Sequence, residues 1–130
     1  MPGYRNFILD KGKNGKSGVT FTKHRAVKLS AAEEVDIAVA ATDFLYGIAH
    51  YDVTATDTTR GKKVSCATAG IVEWEAGAAI PAVGTEVTVD GSGRCIAAAS
   101  TNLVHGINLQ TAAGAGDRIT VHLNLNGYKK

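Results

Sequence analysis

At 130 residues, with 45% apolar and 20% charged side chains, the chain has the length and composition of one globular domain, which excludes a disordered segment and any need for a metal or disulfide staple. No run reaches the ~18 apolar residues of a membrane-spanning helix, and lysines and glycines stand where a signal peptide has its apolar core, so the sequence reads as soluble and made in a cytoplasm. The net charge of +2 conceals an asymmetry: residues 1–30 carry Arg5, Lys11, Lys13, Lys16, Lys23, Arg25 and Lys28 against Asp10 alone, while the rest of the chain is net acidic.

Fifteen glycines and only 6% aromatics favour short strands and tight turns over packed helices. The segment "YRNFILD" (4–10) has the aromatic and β-branched character of a short strand. The "KGKNGKSG" that follows has nothing to bury and reads as a flexible basic loop, so residues 1–18 form a basic amino-terminal arm ahead of a single β-domain at 19–130. Alternation from Val19 to Leu29 predicts further strand. "SAAEEVDIAVA" (30–40) taken alone fits two structures: Ser30 with Glu33 makes a capping box, whereas Val35, Ile37 and Val39 alternate as in a strand.

An internal repeat resolves that ambiguity. "IAVAATDFLYGIA" (37–49) aligns without a gap on "IAAASTNLVHGIN" (96–108) at an offset of 59 (96 minus 37). Upstream of the second copy, "TEVTV" and "RCIAA" flank Asp90-Gly91, a strong hairpin signal, so the first copy also reads strand, turn, strand. Val27-Lys28-Leu29 matches Val87-Thr88-Val89, and "GKKVSC" (61–66) matches "GDRITV" (116–121), giving copies at about 27–66 and 87–121. Thr42-Asp43 and Thr101-Asn102 are expected in turns, and Gly47 and Gly106 where another group comes close. Between the copies, Ile71 to Glu75 alternates around Trp74, followed by a Gly/Ala/Pro turn with room for one helical turn. About nine to ten short strands with little helix predict an all-β barrel or sandwich containing a two-copy repeat.

No catalytic constellation emerges. Gly15-Lys16-Ser17 resembles the end of a P-loop, but Asp10 stands where that motif needs its first glycine and "VTFT" follows instead of a helix. His24, His50, His105 and His122 show no zinc-ligand spacing, and no nucleophile elbow or dinucleotide fingerprint is present. Glu73 and Glu75 share a strand face beside Trp74 and read as the solvent side. Cys66 and Cys95 sit in apolar strand contexts and read as two buried thiols. Neither a cofactor nor a metal is expected. Tyr4, Phe7 and Phe21 interleave with the basic residues as in a single-strand binder, but the net acidic body makes direct nucleic-acid binding the weaker reading.

Taken in order, "RAVKL", "FLYGIAHYDV", "GIVEWEAGAAIPAVGTEVTVDGSGRCIAA", "LVHGINLQ" and "AAGAGDRITVHLN" resemble the capsid cement, or head decoration, proteins of tailed bacteriophages over most of residues 19–124. The "GKNGKSG" stretch departs from the short leader of that family. The resemblance implies a non-enzymatic virion protein on the outer capsid surface, bound to the major capsid protein as trimers at threefold or quasi-threefold positions and reinforcing the shell. Arg5, Lys11, Lys13, Lys16, Lys23 and Arg25 are the candidates for contact with an acidic capsid surface. Trp74 is a candidate for the core or for the oligomer interface. The alternatives are a β-barrel module binding carbohydrate or nucleic acid, with Trp74 as stacking platform, and another virion component such as a tail or head-fibre base protein.

Overall fold

The computed structural model describes residues 6–125 and 128–130. In these residues the chain is nearly all β, as the alternation and turn spacing imply. The strands are β1 (Asn6–Gly15), β2 (Ala26–Ala31), β3 (Glu34–Ile37), β4 (Gly47–Ala49), β5 (Lys63–Glu75), β6 (Glu86–Val89), β7 (Cys95–Ala97), β8 (Gly106–Asn108) and β9 (Arg118–Leu123). The single short helix among the described residues, α1 (Ala55–Thr59), lies between β4 and β5; Thr54 and Asp57 form the capping box that starts it. The Gly/Ala/Pro segment after Trp74 forms turns and holds no helix.

The nine strands form one sheet in the order β1-β3-β2-β4-β5-β9-β8-β6-β7, and an added β1–β5 pairing closes the first five into a barrel. The 30–40 segment is a hairpin: β2 and β3 pair antiparallel with Leu29 opposite Val35. Asp90-Gly91 lies in the corresponding β6–β7 hairpin, where Val89 faces Cys95.

The repeat is present at the level of individual backbone bonds. β2–β3, β2–β4 and β4–β5 pair as β6–β7, β6–β8 and β8–β9 do. Ile48 faces Ala67 as Ile107 faces His122. The turn before each repeated glycine carries the same side-chain cap: Ala40 N–H donates to the Asp43 carboxylate and Ala99 N–H to the Asn102 side chain, at 3.1 and 2.8 Å. At Gly47 a Cβ would stand 2.6 Å from the Ala67 carbonyl oxygen, and at Gly106 it would collide with the carbonyl of His122, the counterpart of Ala67. The glycines are there because the neighbouring strand's backbone passes too close for a side chain.

The amino-terminal stretch differs in part from its sequence reading. Asn6 to Gly15 is barrel strand, paired antiparallel with β5 from Asn6↔Ile71 to Asn14↔Lys63 and parallel with β3 at Gly15↔Val35. Asn6 to Asp10 bears out the strand read at 4–10, whereas the lysines and glycines of 11–15 offer no apolar face and read as loop from sequence; this half of the strand satisfies backbone groups that β3 and β5 would otherwise leave open. Gly15 is fixed by packing, since a Cβ there would meet Thr58 and Phe21 at 2.7 and 2.9 Å.

This strand has a counterpart too, in the second half of β5. Asn14↔Lys63 recurs as Glu75↔Arg118, the Gly15↔Val35 contact as the parallel bridge Ala76↔Cys95, and the Lys16 N–H to Val35 bond as Gly77 N–H to Cys95. β5 is therefore the last strand of the first unit and the first strand of the second. Phe21, Val27, Val35, Val53, Val64 and Cys66 fill the first barrel. Ile80, Val87, Cys95, Ala112, Ile119 and Val121 stand at the corresponding places in the second unit, and their cluster continues onto Ala26, Ala38, Leu45, Ile48 and Ala67 on the outer wall of the first.

Candidate functional site

The six basic side chains singled out from sequence do not form one free cationic arm. Arg5 lies outside the described residues, as does the side chain of Lys11. Lys13 is largely covered: its Nζ is 3.1 Å from Glu33 Oε2 and 5.5 Å from the centre of the Tyr46 ring. Lys16 Nζ is 3.5 Å from Asp36. Arg25 grips Glu75 through both Nε and an Nη, at 3.4 and 3.2 Å. Lys23 is half-buried, and its backbone N–H donates to Asp52. Lys28 also pairs, with Asp43 at 3.3 Å.

Glu33, Asp36, Asp43 and Glu75 all lie beyond residue 30, so the charge asymmetry along the sequence is offset in space at four of its seven cations. Pairs of this kind contribute about 0–1 kcal/mol each, and their main consequence here is electrostatic neutrality. Among the four, Lys16 keeps the most exposed side chain.

Trp74 is fully buried within the single chain, with its indole N–H donating to the Gly93 carbonyl at 3.0 Å. Its ring belongs to the core, so it supplies no surface for a partner chain and no platform for a ligand. Lys13 occupies the equivalent place in the first unit: its ammonium reaches Glu33 in the β2–β3 turn as the indole reaches Gly93 in the β6–β7 turn. Glu73 and Glu75 do share a face beside Trp74, as alternation implies, but that face is half-buried and docked on the segment before β2. Glu73 stands 3.7 Å from His24, and Glu75 N–H donates to the His24 carbonyl.

Titratable groups mark the junction between the units. Burial lowers the His24 pKa, helped by the positive charge of Arg118 and opposed by Glu73. Burial also lowers the pKa of His105, opposed by the backbone and carboxylate of nearby Asp43. Burial acts to raise the Asp43 carboxyl, but the Val39 N–H, the Lys28 ammonium and the Ala40 N–H outweigh it and hold the group below the usual carboxylate range. Burial, with the negative charge of Asp10, pushes the Cys66 thiol up to about 12, and burial also raises Cys95. The two cysteines are unbonded and lie in different core clusters. Among the described residues no group of three or more His, Cys, Asp and Glu side chains is placed to hold a metal ion.

The body is a closed five-strand barrel carrying a second unit of like pairing, with most of its amino-terminal cations held in ion pairs. The family model for phage cement proteins matches residues 12–123, a span that takes in both units. The chain belongs to the phage cement protein family. The structure is also similar to the head fiber gp8.5 N base of bacteriophage phi29, with a TM-score of 0.68 and 18% identity, covering 98% of this chain and 100% of that one. At that identity the likeness concerns the fold. No curated protein sequence matches. This cement protein is a virion structural protein.

Proposed function

We propose that the cement protein binds the outer surface of the assembled phage capsid as a trimer, contacts the major capsid protein and reinforces the shell without catalysing a reaction. The observation that carries this reading is the family match, which spans both barrel units. A trimer presents one patch three times to neighbouring capsid subunits, so weak contacts combine through effective concentration. Binding the expanded shell in preference to its precursor stabilises it by mass action. Within the candidate set, Arg5, Lys11, Lys16 and Lys23 remain for capsid contact, while Lys13 and Arg25 serve ion pairs inside the fold.

The test is co-sedimentation of purified protein with expanded capsids that lack it, followed by cryo-electron microscopy. Saturable, salt-sensitive occupancy at threefold or quasi-threefold positions is expected. Absence of binding to expanded capsids refutes the proposal. The fold shared with a head-fibre base favours a second reading, a base that carries a fibre. Density rising from the bound protein into a separate fibre distinguishes the two.

A further inference from the structure

The duplication supplies a template for an interface. Within the chain, the β6–β7 tip of the second unit seats on the outer wall of the first: Ala26 N–H donates to the Gly93 carbonyl at 2.7 Å, and a Cβ on Gly93 would lie 3.2 Å from the Ala26 carbonyl oxygen and 3.4 Å from that of Ala38. The tip itself meets the backbone of Ala26 and Ala38, and the apolar cluster shared by the two units continues from there through Leu45, Ile48 and Ala67, all buried. Val89, at the root of the tip, is buried as well.

Each half of this junction has an exposed counterpart. The tip equivalent to 90–93 is the β2–β3 turn, where Leu29 to Glu33 are all exposed and Leu29, the counterpart of Val89, is 49% exposed. The wall equivalent to Ile48 and Ala67 is Ile107 and His122. Ile48 is 2% exposed and Ile107 43%. The carboxy-terminal residues cover only part of this second wall: the Tyr128 carbonyl accepts from Val104 N–H, the Tyr128 hydroxyl bonds Glu86, and Lys130 bonds the Ala98 carbonyl. What is left is an open groove of about 250 Å³ between Ile107, His122, Asn124 and Tyr128. The charged groups of both surfaces are already engaged within the chain, Glu33 by Lys13 and Glu34 by Ser30 at the tip and Lys130 by Glu86 at the wall, so the fit between them is one of shape and apolar surface.

We propose that the Leu29–Glu33 tip of one copy docks on the Ile107 wall of the next, reproducing between chains the junction that joins the two units within one chain. The contact is heterologous, tip to wall, so it leaves each copy with one used and one free end until a ring closes. It gives the trimer proposed above a specific geometry, and rests on that reading only for the number of copies. Leu29 contributes the apolar anchor and Tyr128 flanks the pocket it enters, the arrangement in which a few residues carry an interface.

The experiment uses the full chain in solution. Sedimentation velocity is expected to show a discrete oligomer, and Leu29→Asp and Ile107→Asp each to weaken association about tenfold or more, with far-ultraviolet circular dichroism and thermal midpoint unchanged. Ala32→Cys protein mixed with Ala97→Cys protein, the counterparts of Ser92 and of the Ile37 beside it, is expected to form an intermolecular disulfide under oxidation, while either alone does not. A monomeric parent chain, an oligomer untouched by both aspartates, or cross-linking of one cysteine variant with itself overturns the proposal. A monomer that still saturates capsids overturns the tip-to-wall contact and leaves capsid binding standing; an oligomer assembled by this contact that ignores capsids does the reverse.

Discussion

Deletion of residues 1–18 separates an arm from a barrel strand, because the two roles predict opposite outcomes. The deletion removes β1 and with it seven registered pairs with β5, from Asn6↔Ile71 to Asn14↔Lys63, and two with β3. At roughly one backbone bond per antiparallel pair and about 0.5–1.5 kcal/mol net for each, the β5 seam alone is worth about 4–10 kcal/mol. Opening that seam also admits water to Phe21, Val35 and Val64, which are buried beside it. A domain of this size has about 5–15 kcal/mol in total, so the truncated chain is expected to lose its first barrel. Urea unfolding followed by circular dichroism and by Trp74 fluorescence checks this, with deletion of residues 1–5 as the comparison that leaves β1 whole. A 1–18 deletion that unfolds cooperatively at the parent midpoint refutes the strand assignment and restores the free arm. If it fails to fold, capsid occupancy of that truncation says nothing about anchoring, and charge reversal at Lys16 and Lys23 is the appropriate probe.

Three further outcomes follow from the geometry. Gly47→Ala places a methyl group against the Ala67 carbonyl and is expected to cost about 1–3 kcal/mol in urea unfolding, whereas Gly114→Ala, with open space around it, should stay within about 0.5 kcal/mol; equal effects refute the close-approach reading. The pKa values of His24 and His105 are both lowered in the folded state by burial, so as pH falls through the ordinary histidine value of 6.5 the unfolded chain binds more protons than the native one. Stability is therefore full above pH 6.5 and falls below it, with a slope approaching about 1.4 kcal/mol per pH unit for each proton. A thermal midpoint that is flat from pH 7.5 to 5 contradicts this. Cys66, buried and raised to about 12, should resist thiol reagents at pH 8 until denaturant is added, and rapid modification of the native protein shows that its cluster opens.

The sequence by itself determined the strand-rich class, the hairpin turns and the duplication. These rest on local chemistry: Asp90-Gly91 demands a tight turn wherever it occurs, and the matched Asp43 and Asn102 cap the same turn in both copies. The repeat could be aligned because Gly47 and Gly106 answer the same backbone crowding, which tolerates no other side chain. The counterpart of β1 was hidden for the converse reason. Lys13 and Trp74 hold equivalent places and both reach a β-hairpin turn, yet one does it with an ammonium and the other with an indole, so no residue similarity reports the equivalence.

Only the tertiary structure decided where the charges and the apolar surfaces stand. Seven cations within thirty residues read as a patch, but Lys13, Lys16, Arg25 and Lys28 each find an acid supplied from further along the chain. Ile48 and Ile107 are the same residue in the same repeat position, and one is core while the other is surface. Burial depends on what a fold brings against a residue, and the second unit covers the first, while among the described residues only the carboxy-terminal ones reach the second wall and they leave its groove open. A periodic sequence specifies the unit; the ends of the repeat, where one neighbour is missing, are visible only in three dimensions.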